Sequence, residues 1–303
     1  MQTSSNQARH PFIAMLMSAV LPGWGQLYNG ELNKAIWWGL GFFCLTIPSM
    51  VAIALYLPPE SMLDSFILNG LALLTLWLSS MVDAWQSAKR KSEYQPYSWQ
   101  NSGVYVLIFL LSNCFVLPIA MQFVRKYEME SFLVPSGSME PTILTNEMFF
   151  ADKRYNCPGC KTKVQRGDIA IFVYPNDRNQ YFIKRIIGLP GEKIKISGTT
   201  IYINDKPLTL LQQPLKQGVQ VTETDGKRSW NVVWSKPNLA LPQTEMIIPN
   251  GHMFALGDNR SASHDSRFYD AVPLADVIGK ARFVWLSVKG NSIRWERMGH
   301  LLP

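Results

Sequence analysis

Ser138 and Lys184 are the two residues whose types and surroundings could do chemistry together. Ser138 lies in the run Phe132-Leu133-Val134-Pro135-Ser136-Gly137-Ser138-Met139-Glu140-Pro141-Thr142, directly after a strongly apolar segment. Lys184 follows about 45 residues later, inside Tyr181-Phe182-Ile183-Lys184-Arg185-Ile186-Ile187. A serine hydroxyl becomes a nucleophile when an adjacent base takes its proton, and a lysine can be that base once burial has removed its charge. Strand alternation sets Phe182, Lys184 and Ile186 on one face and Ile183, Arg185 and Ile187 on the other, so the lysine shares its face with apolar neighbours. Pro135 and Gly137 constrain the chain before the serine, and Pro141 stops a helix from running on beyond it. Each residue alone also has a plainer reading: a tight surface turn for Ser138, a lysine snorkelling from a strand edge for Lys184. The sequence has no Gly-x-Ser-x-Gly elbow, which excludes the α/β-hydrolase arrangement.

A third polar element is Leu256-Gly257-Asp258-Asn259-Arg260-Ser261-Ala262-Ser263-His264-Asp265-Ser266-Arg267. Most such loops are hydrated connections. This one holds two Asp/Arg pairs, and carboxylate–guanidinium pairing would brace it so that one hydroxyl can orient a lysine amine.

The elements that must position these groups fall into two halves. Residues 1–125 hold six Lys/Arg and five Asp/Glu, whereas 126–303 hold 23 and 17, so an apolar membrane anchor (1–125) precedes a water-facing domain (126–303). Segments 34–57, 66–85 and 103–124 are long enough to cross a bilayer, and Trp37 and Trp38 stand near one end of the first as interfacial anchors. Segment 12–28 differs, because Pro22-Gly23-Trp24-Gly25 interrupts it; a span and a re-entrant segment both remain open, and no clean small-x-small site makes it a cleaved targeting peptide. Lys89, Arg90 and Lys91 put 86–102 in the cytoplasm and everything after 124 outside, with Arg125 and Lys126 opposing weakly. The run from Ser18 to Tyr28 is similar to small two-helix membrane modules of bacteria, a short likeness that implies no chemistry. The net charge of +7 contains no block of one sign in the second half, which excludes a nucleic-acid footprint and leaves contact with anionic lipid headgroups as an expectation.

From 131 onward short β-rich runs alternate with turn signals: 169–174, 181–187, 192–196, 200–203, 219–224, 228–234 around Asp225-Gly226, 252–256 and 277–288. The expected fold class is therefore N-terminal transmembrane helices followed by a mainly β domain.

Together these elements resemble the boxes of bacterial type I signal peptidases (leader peptidases), membrane-anchored Ser/Lys endopeptidases that remove signal peptides from exported proteins. The likeness runs over about 131–285 in family order: Pro-Ser-Gly-Ser-Met-x-Pro-Thr at 135–142, Arg-Gly-Asp-Ile at 166–169 opening a β run, Lys-Arg-x-x-Gly-x-Pro-Gly at 184–191, Gly-Asp-Asn-Arg at 257–260 and Ser-x-Asp-Ser-Arg at 263–267. The resemblance implies Ser138 as nucleophile, Lys184 as general base, and an oxyanion hole from the Ser138 N–H and the Ser136 hydroxyl. It implies Ser263 as the hydroxyl that positions the lysine, and Asp258, Arg260, Asp265 and Arg267 as a structural loop. By the same resemblance, substrate pockets for small side chains such as Ala at the first and third positions before the cut fall to Phe132, Val134, Met139, Ile143, Phe182 and Ile183. It implies an all-β catalytic core resting on the lipid bilayer, facing the periplasmic side of the bacterial inner membrane. Preprotein signal peptides are the implied partners, with the protein-export machinery a further one, and no cofactor or metal is called for. Familiar members carry one or two spans, and this chain carries three or four. An alternative within the enzyme class is a peptidase dedicated to one secretion or conjugation substrate, and one from another class is a membrane-tethered binding module with vestigial catalytic residues.

Cys44 and Cys114 lie in apolar spans and read as inert small hydrophobes. Cys157-Pro158-Gly159-Cys160 lacks a second pair for zinc and a βαβ context for redox work, so a local disulfide between Cys157 and Cys160 is the expectation. His264 beside Asp265 invites a Ser/His/Asp arrangement, which the resemblance replaces with lysine.

Overall fold

The structure is a computed structural model that describes residues 8–302 apart from 157–158, 161–162, 237–241 and 243, and leaves the side chains of Pro59 and Glu60 undescribed. The chain divides into two units, Met1–Val124 and Arg125–Pro303.

In the first unit, α1 (Pro11–Val20) starts on a proline whose missing N–H costs nothing in a first turn. Gly23 turns the chain in a left-handed conformation (φ 100°) at a point where a Cβ would stand 2.4 Å from the Ala35 carbonyl oxygen. Then α2 (Trp24–Tyr28) runs back. Three further helices follow: α3 (Leu32–Leu45), α4 (Ile47–Tyr56) and α5 (Pro59–Lys89). Both ends of the α1–α2 hairpin meet the end of α5, since Arg9 N–H donates to the Lys91 carbonyl at 3.2 Å and Lys91 Nζ to the Asn29 carbonyl at 2.6 Å. The turn lies deeper, with Gly23 N–H on Ser80 Oγ and Trp77 Nε1 on the Ala19 carbonyl. Segment 12–28 therefore folds back on itself, with both of its ends at the same end of α5. Gln26 is satisfied on the way: its Nε2 donates to the Ser80 carbonyl and to Asp83, and its Oε1 accepts from the Ser18 hydroxyl.

Among the described residues, three stretches are long and apolar enough to cross a membrane: Leu32–Tyr56, Ser61–Lys89 and Ser102–Glu128. The second is longer than the expected 66–85 because polar residues at both ends continue the helix. The third begins as α6 (Ser102–Leu111), capped by Asn101 Oδ1 accepting from the Val104 N–H. It widens to a π-turn over Ser112–Val116 directly before Pro118, whose ring cannot donate to the preceding turn.

The second unit is built from strands: β1 (Met129–Leu133), β2 (Glu147–Asp152), β3 (Ile169–Val173), β4 (Tyr181–Gly188), β5 (Lys193–Ser197), β6 (Thr200–Ile203), β7 (Lys206–Pro207) and β8 (Thr209–Pro214). Then come β9 (Val219–Thr224), β10 (Ser229–Trp234), β11 (Glu245–Ile247), β12 (His252–Leu256), β13 (Val272–Pro273), β14 (Val277–Lys289) and β15 (Ser292–Ile293). The main sheet has the order β1-β2-β14-β3-β4-β12-β13, with β15 paired to β14; β10-β9-β8 and β11-β5-β6-β7 form two smaller sheets. Both faces of the main sheet are covered by apolar clusters. One is centred on Ile143, Phe149, Ile169 and Ile171, another on Phe172, Ile186, Met253 and Val272. That is why β3 and β4 read as continuous hydrophobic runs rather than as alternating ones. The hairpin expected at Asp225-Gly226 turns at Gly226-Lys227 instead: Asp225 and Arg228 close it, and the Asp225 carboxylate accepts from the Lys227 and Arg228 N–H groups.

Candidate active site

The chain leaves β1 extended through Ser136 and tightens into a single 3₁₀ turn over Gly137–Met139. Ser138 sits within this first turn, where backbone N–H groups have no intrahelical acceptor. Met139, wholly buried, anchors the turn from below. Lys184 stands in β4 opposite Ala170 of β3, so its neighbour across the sheet is small. Its Nζ lies 3.0 Å from Ser138 Oγ and 5.3 Å from the centre of the Phe182 ring. Tyr174 stacks on that ring, centroid to centroid at 4.2 Å. Only 5% of Lys184 is exposed. Burial pushes its amine down from the ordinary 10.5 to about 8; Asp265 and Asp258 pull the other way, and Arg267 adds to the fall.

The pair opens into a cleft of about 580 Å³ lined on one side by Phe132, Val134, Ser136 and Met139 and on the other by Phe182 and Ile183. Ser136 Oγ is 3.4 Å from Ser138 Oγ. Of the expected substrate-contacting residues, Ile143 does not line this cleft. It is fully buried in the cluster behind Met139, because the chain has already turned into the core two residues past Pro141. Pro135, Gln180, Tyr181, Ala262 and His264 line it instead, unforeseen in sequence. His264 meets Tyr174 and Phe268 at the rim.

The 257–267 loop departs from the expected pairing. Asp258 does not pair with Arg260; it takes the fork of Arg185, with Nε at 2.8 Å and Nη2 at 2.6 Å, and a further bond from Thr142 Oγ1. Arg260 pairs with Glu223 of β9, at 2.5 and 2.8 Å. Only Asp265 and Arg267 pair within the loop, at 2.8 Å through both oxygens. All six groups are essentially buried. The loop therefore touches the nucleophile directly: Asn259 N–H donates to the Ser138 carbonyl at 3.0 Å, and Asn259 Nδ2 to the Gly137 carbonyl at 3.2 Å. Ser263 is buried beside Gly257, but its Oγ has no hydrogen-bond partner, and the bond to Lys184 that its expected role entails is not formed. Two signals for the overlooked partners were present. Arg185 is a charge in an apolar strand on the face away from Lys184, and Glu223 alternates with Val219 and Val221, which points it inward.

The expected disulfide falls partly outside the described residues: Cys160 is disulfide-bonded, while Cys157 is not described. Cys44 and Cys114 are free thiols.

Residues 107–286 match the family described as signal peptidase, peptidase S26. The chain is similar to the signal peptidase I of Rickettsia akari (strain Hartford), with 36% identity over 217 residues covering 59% of this chain and 79% of that protein. It is similar at 36% identity over 213 residues, with the same coverage, to the signal peptidase I of Rickettsia felis. A crystal structure of a signal peptidase I from Enterococcus faecalis aligns over 39% of this chain and 97% of its own length at 30% identity, with a TM-score of 0.28, too low to bear on the fold.

Proposed function

This chain belongs to the peptidase S26 signal peptidase family, and from that we propose that it is a membrane-bound serine endopeptidase cutting signal peptides from exported proteins by a Ser138/Lys184 mechanism. The observation that carries the reading is the 3.0 Å contact between Ser138 Oγ and a lysine amine whose burial leaves a usable neutral fraction at neutral pH. The neutral Lys184 amine takes the hydroxyl proton as Ser138 Oγ attacks the scissile carbonyl carbon. The resulting oxyanion faces the Ser138 N–H and the Ser136 hydroxyl. The Lys184 ammonium then gives its proton to the departing amine of the mature protein, and the signal peptide stays as an ester on Ser138. Water, deprotonated by the same amine, hydrolyses that ester and regenerates the hydroxyl. The bulky walls of Phe132, Val134, Met139, Phe182 and Ile183 make shallow subsites, which supports a small-x-small rule of the Ala-x-Ala type.

Lys89, Arg90 and Lys91 between the second and third spans support a cytoplasmic loop there and a catalytic unit on the periplasmic side. Incubation of a preprotein with the wild type, Ser138→Ala and Lys184→Ala tests the reading. Cleavage is expected from the wild type alone, and undiminished turnover by either variant would refute the dyad. Covalent capture of a signal-peptide ester on Ser138 separates an enzyme from a vestigial binding module.

A further inference from the structure

The β8–β10 sheet lies in a stretch of sequence with no recognisable catalytic motif, yet it reaches the nucleophile through one glutamate. Glu223, wholly buried in β9, accepts from Arg260 Nη1 at 2.5 Å, from Arg260 Nη2 at 2.8 Å and from Trp230 Nε1 at 2.8 Å. Arg260 Nε donates onward to the Gly257 carbonyl at 3.0 Å, while the Gly257 N–H donates to Asp265 at 3.1 Å. Side chains therefore fix both backbone polar groups of Gly257. That glycine abuts the reacting groups: a Cβ on it would stand 2.5 Å from the Ser138 carbonyl oxygen and 2.2 Å from Ser263 Oγ. Two residues further on, Asn259 holds the Ser138 and Gly137 carbonyls. From β10, Val233 N–H binds the Asp258 carbonyl at 2.8 Å.

We propose that Glu223, acting through Arg260 and the 257–260 loop, is a positioning residue for the Ser138/Lys184 pair, which makes the β8–β10 sheet part of the catalytic apparatus. The proposal rests on the Ser/Lys reading above. A carboxylate accepts both prongs of a guanidinium and neutralises it. A glutamine at 223 offers one oxygen and turns an NH₂ toward Arg260, leaving a buried cation partly unpaired and free to seek other acceptors. Movement of Arg260 releases Gly257, and with it the strand of hydrogen bonds that sets the Ser138 backbone. Misplacement of a reacting group by about 1 Å costs on the order of 100-fold in rate.

The test uses the full-length protein in detergent or proteoliposomes, with Glu223→Gln and Trp230→Phe compared with the wild type and Ser138→Ala. Trp230→Phe keeps an aromatic ring beside Arg185 and removes the N–H to Glu223 together with the five-membered ring of the indole, so its effect is read per folded molecule. Rates of preprotein cleavage are expressed per folded molecule, counted by near-UV circular dichroism. Glu223→Gln is expected to lower kcat by roughly 10- to 100-fold, and Trp230→Phe to lower it less. KM should stay within about twofold in both, because neither residue lines the cleft. Unchanged kcat per folded molecule in both variants, with only the folded fraction reduced, would overturn the proposal and leave Glu223 merely structural. If Glu223→Gln does not fold, Trp230→Phe decides alone: a lowered kcat supports the proposal and an unchanged one overturns it. Cleavage by Ser138→Ala would bring down the Ser/Lys reading and this proposal with it. An inactive Ser138→Ala beside fully active 223 and 230 variants would overturn this proposal only.

Discussion

Replacing Phe182 by serine should move the acid limb of the pH–rate profile to higher pH. Phe182 is the ring against which the Lys184 amine rests, at 5.3 Å, and it separates that amine from water. Burial lowers the amine from 10.5 to about 8. At pH 7 that raises the neutral, base-competent share from about 0.03% to about 10%, a gain of roughly 300-fold in active protonation state. Opening the wall to water should return about one pKa unit, taking the neutral share at pH 7 to about 1% and the rate down roughly tenfold from protonation alone. At pH 10 both proteins hold a neutral lysine, so the protonation deficit disappears there. The assay is kcat/KM for one preprotein from pH 6 to pH 10. Phe182 also lines the substrate cleft, so the midpoint of the limb is the readout rather than the absolute rate. The charges that act on the amine, Asp265, Asp258 and Arg267, are untouched by the substitution. An equal loss at every pH with an unmoved midpoint would refute the claim that this wall sets the lysine's proton affinity.

Lys184→Met should be inactive yet more stable at neutral pH. The folded pKa lies below the unfolded one, so between about 8 and about 10.5 the unfolded chain binds more protons and wild-type stability rises with pH; below that window the wild type carries a penalty of roughly 3 kcal/mol that methionine lacks. Thermal melts at pH 7 and at pH 11 check this, since the gain should fade at the higher pH, and a gain that persisted there would argue for packing instead. If the α1–α2 hairpin is re-entrant, Ala8→Cys and Ser92→Cys, in a background without Cys44 and Cys114, should react with an impermeant thiol reagent from the same face of sealed vesicles. Labelling of the two from opposite faces would show that α1 crosses.

Much of this was legible because short-range rules governed it. The spans follow from composition, and the lysine's burial follows from the alternation of Phe182, Lys184 and Ile186. The hairpins of β5–β6 and β9–β10 follow from their turn residues, although the second turns one residue later than Asp225-Gly226 suggests. What escaped depended on contacts between distant positions. Strand β2 was missed because Glu147 and Asp152 at its ends break an apolar run; in the fold Glu147 is buried and satisfied by Ser287 and Arg297, both contributed by the far end of the chain. The pairing of Asp258 with Arg260 looked natural at a spacing of two residues. Yet neighbours so placed in an irregular loop need not face each other, and each found its fork on another strand. Family position points Ile143 to the cleft, whereas its burial with Met139 is decided by where the chain turns after Pro141.

The pairing of these charges bears on why the lysine can be neutral at all. Asp258 and Asp265 both favour a protonated Lys184, and two bare carboxylates beside a buried amine would make it a stronger cation than usual, by Coulomb's law. Each, however, is engaged through both oxygens by a guanidinium, Arg185 for one and Arg267 for the other. A tight ion pair presents a dipole, whose field falls faster with distance than that of a charge, and Arg267 opposes protonation directly. Desolvation then prevails. The same loop needs strong directional donors and acceptors to hold the backbone of Gly257 and Ser138, a task that apolar packing cannot perform even where it would stabilise the fold as well or better. Polar groups in neutral pairs meet both demands. That explains why the fold sends Arg185 in from β4 and Glu223 from β9 to pair with the loop's Asp258 and Arg260 rather than leaving the loop to brace itself: with Asp258 unpaired, a bare carboxylate near the amine would hold the lysine in the charged form.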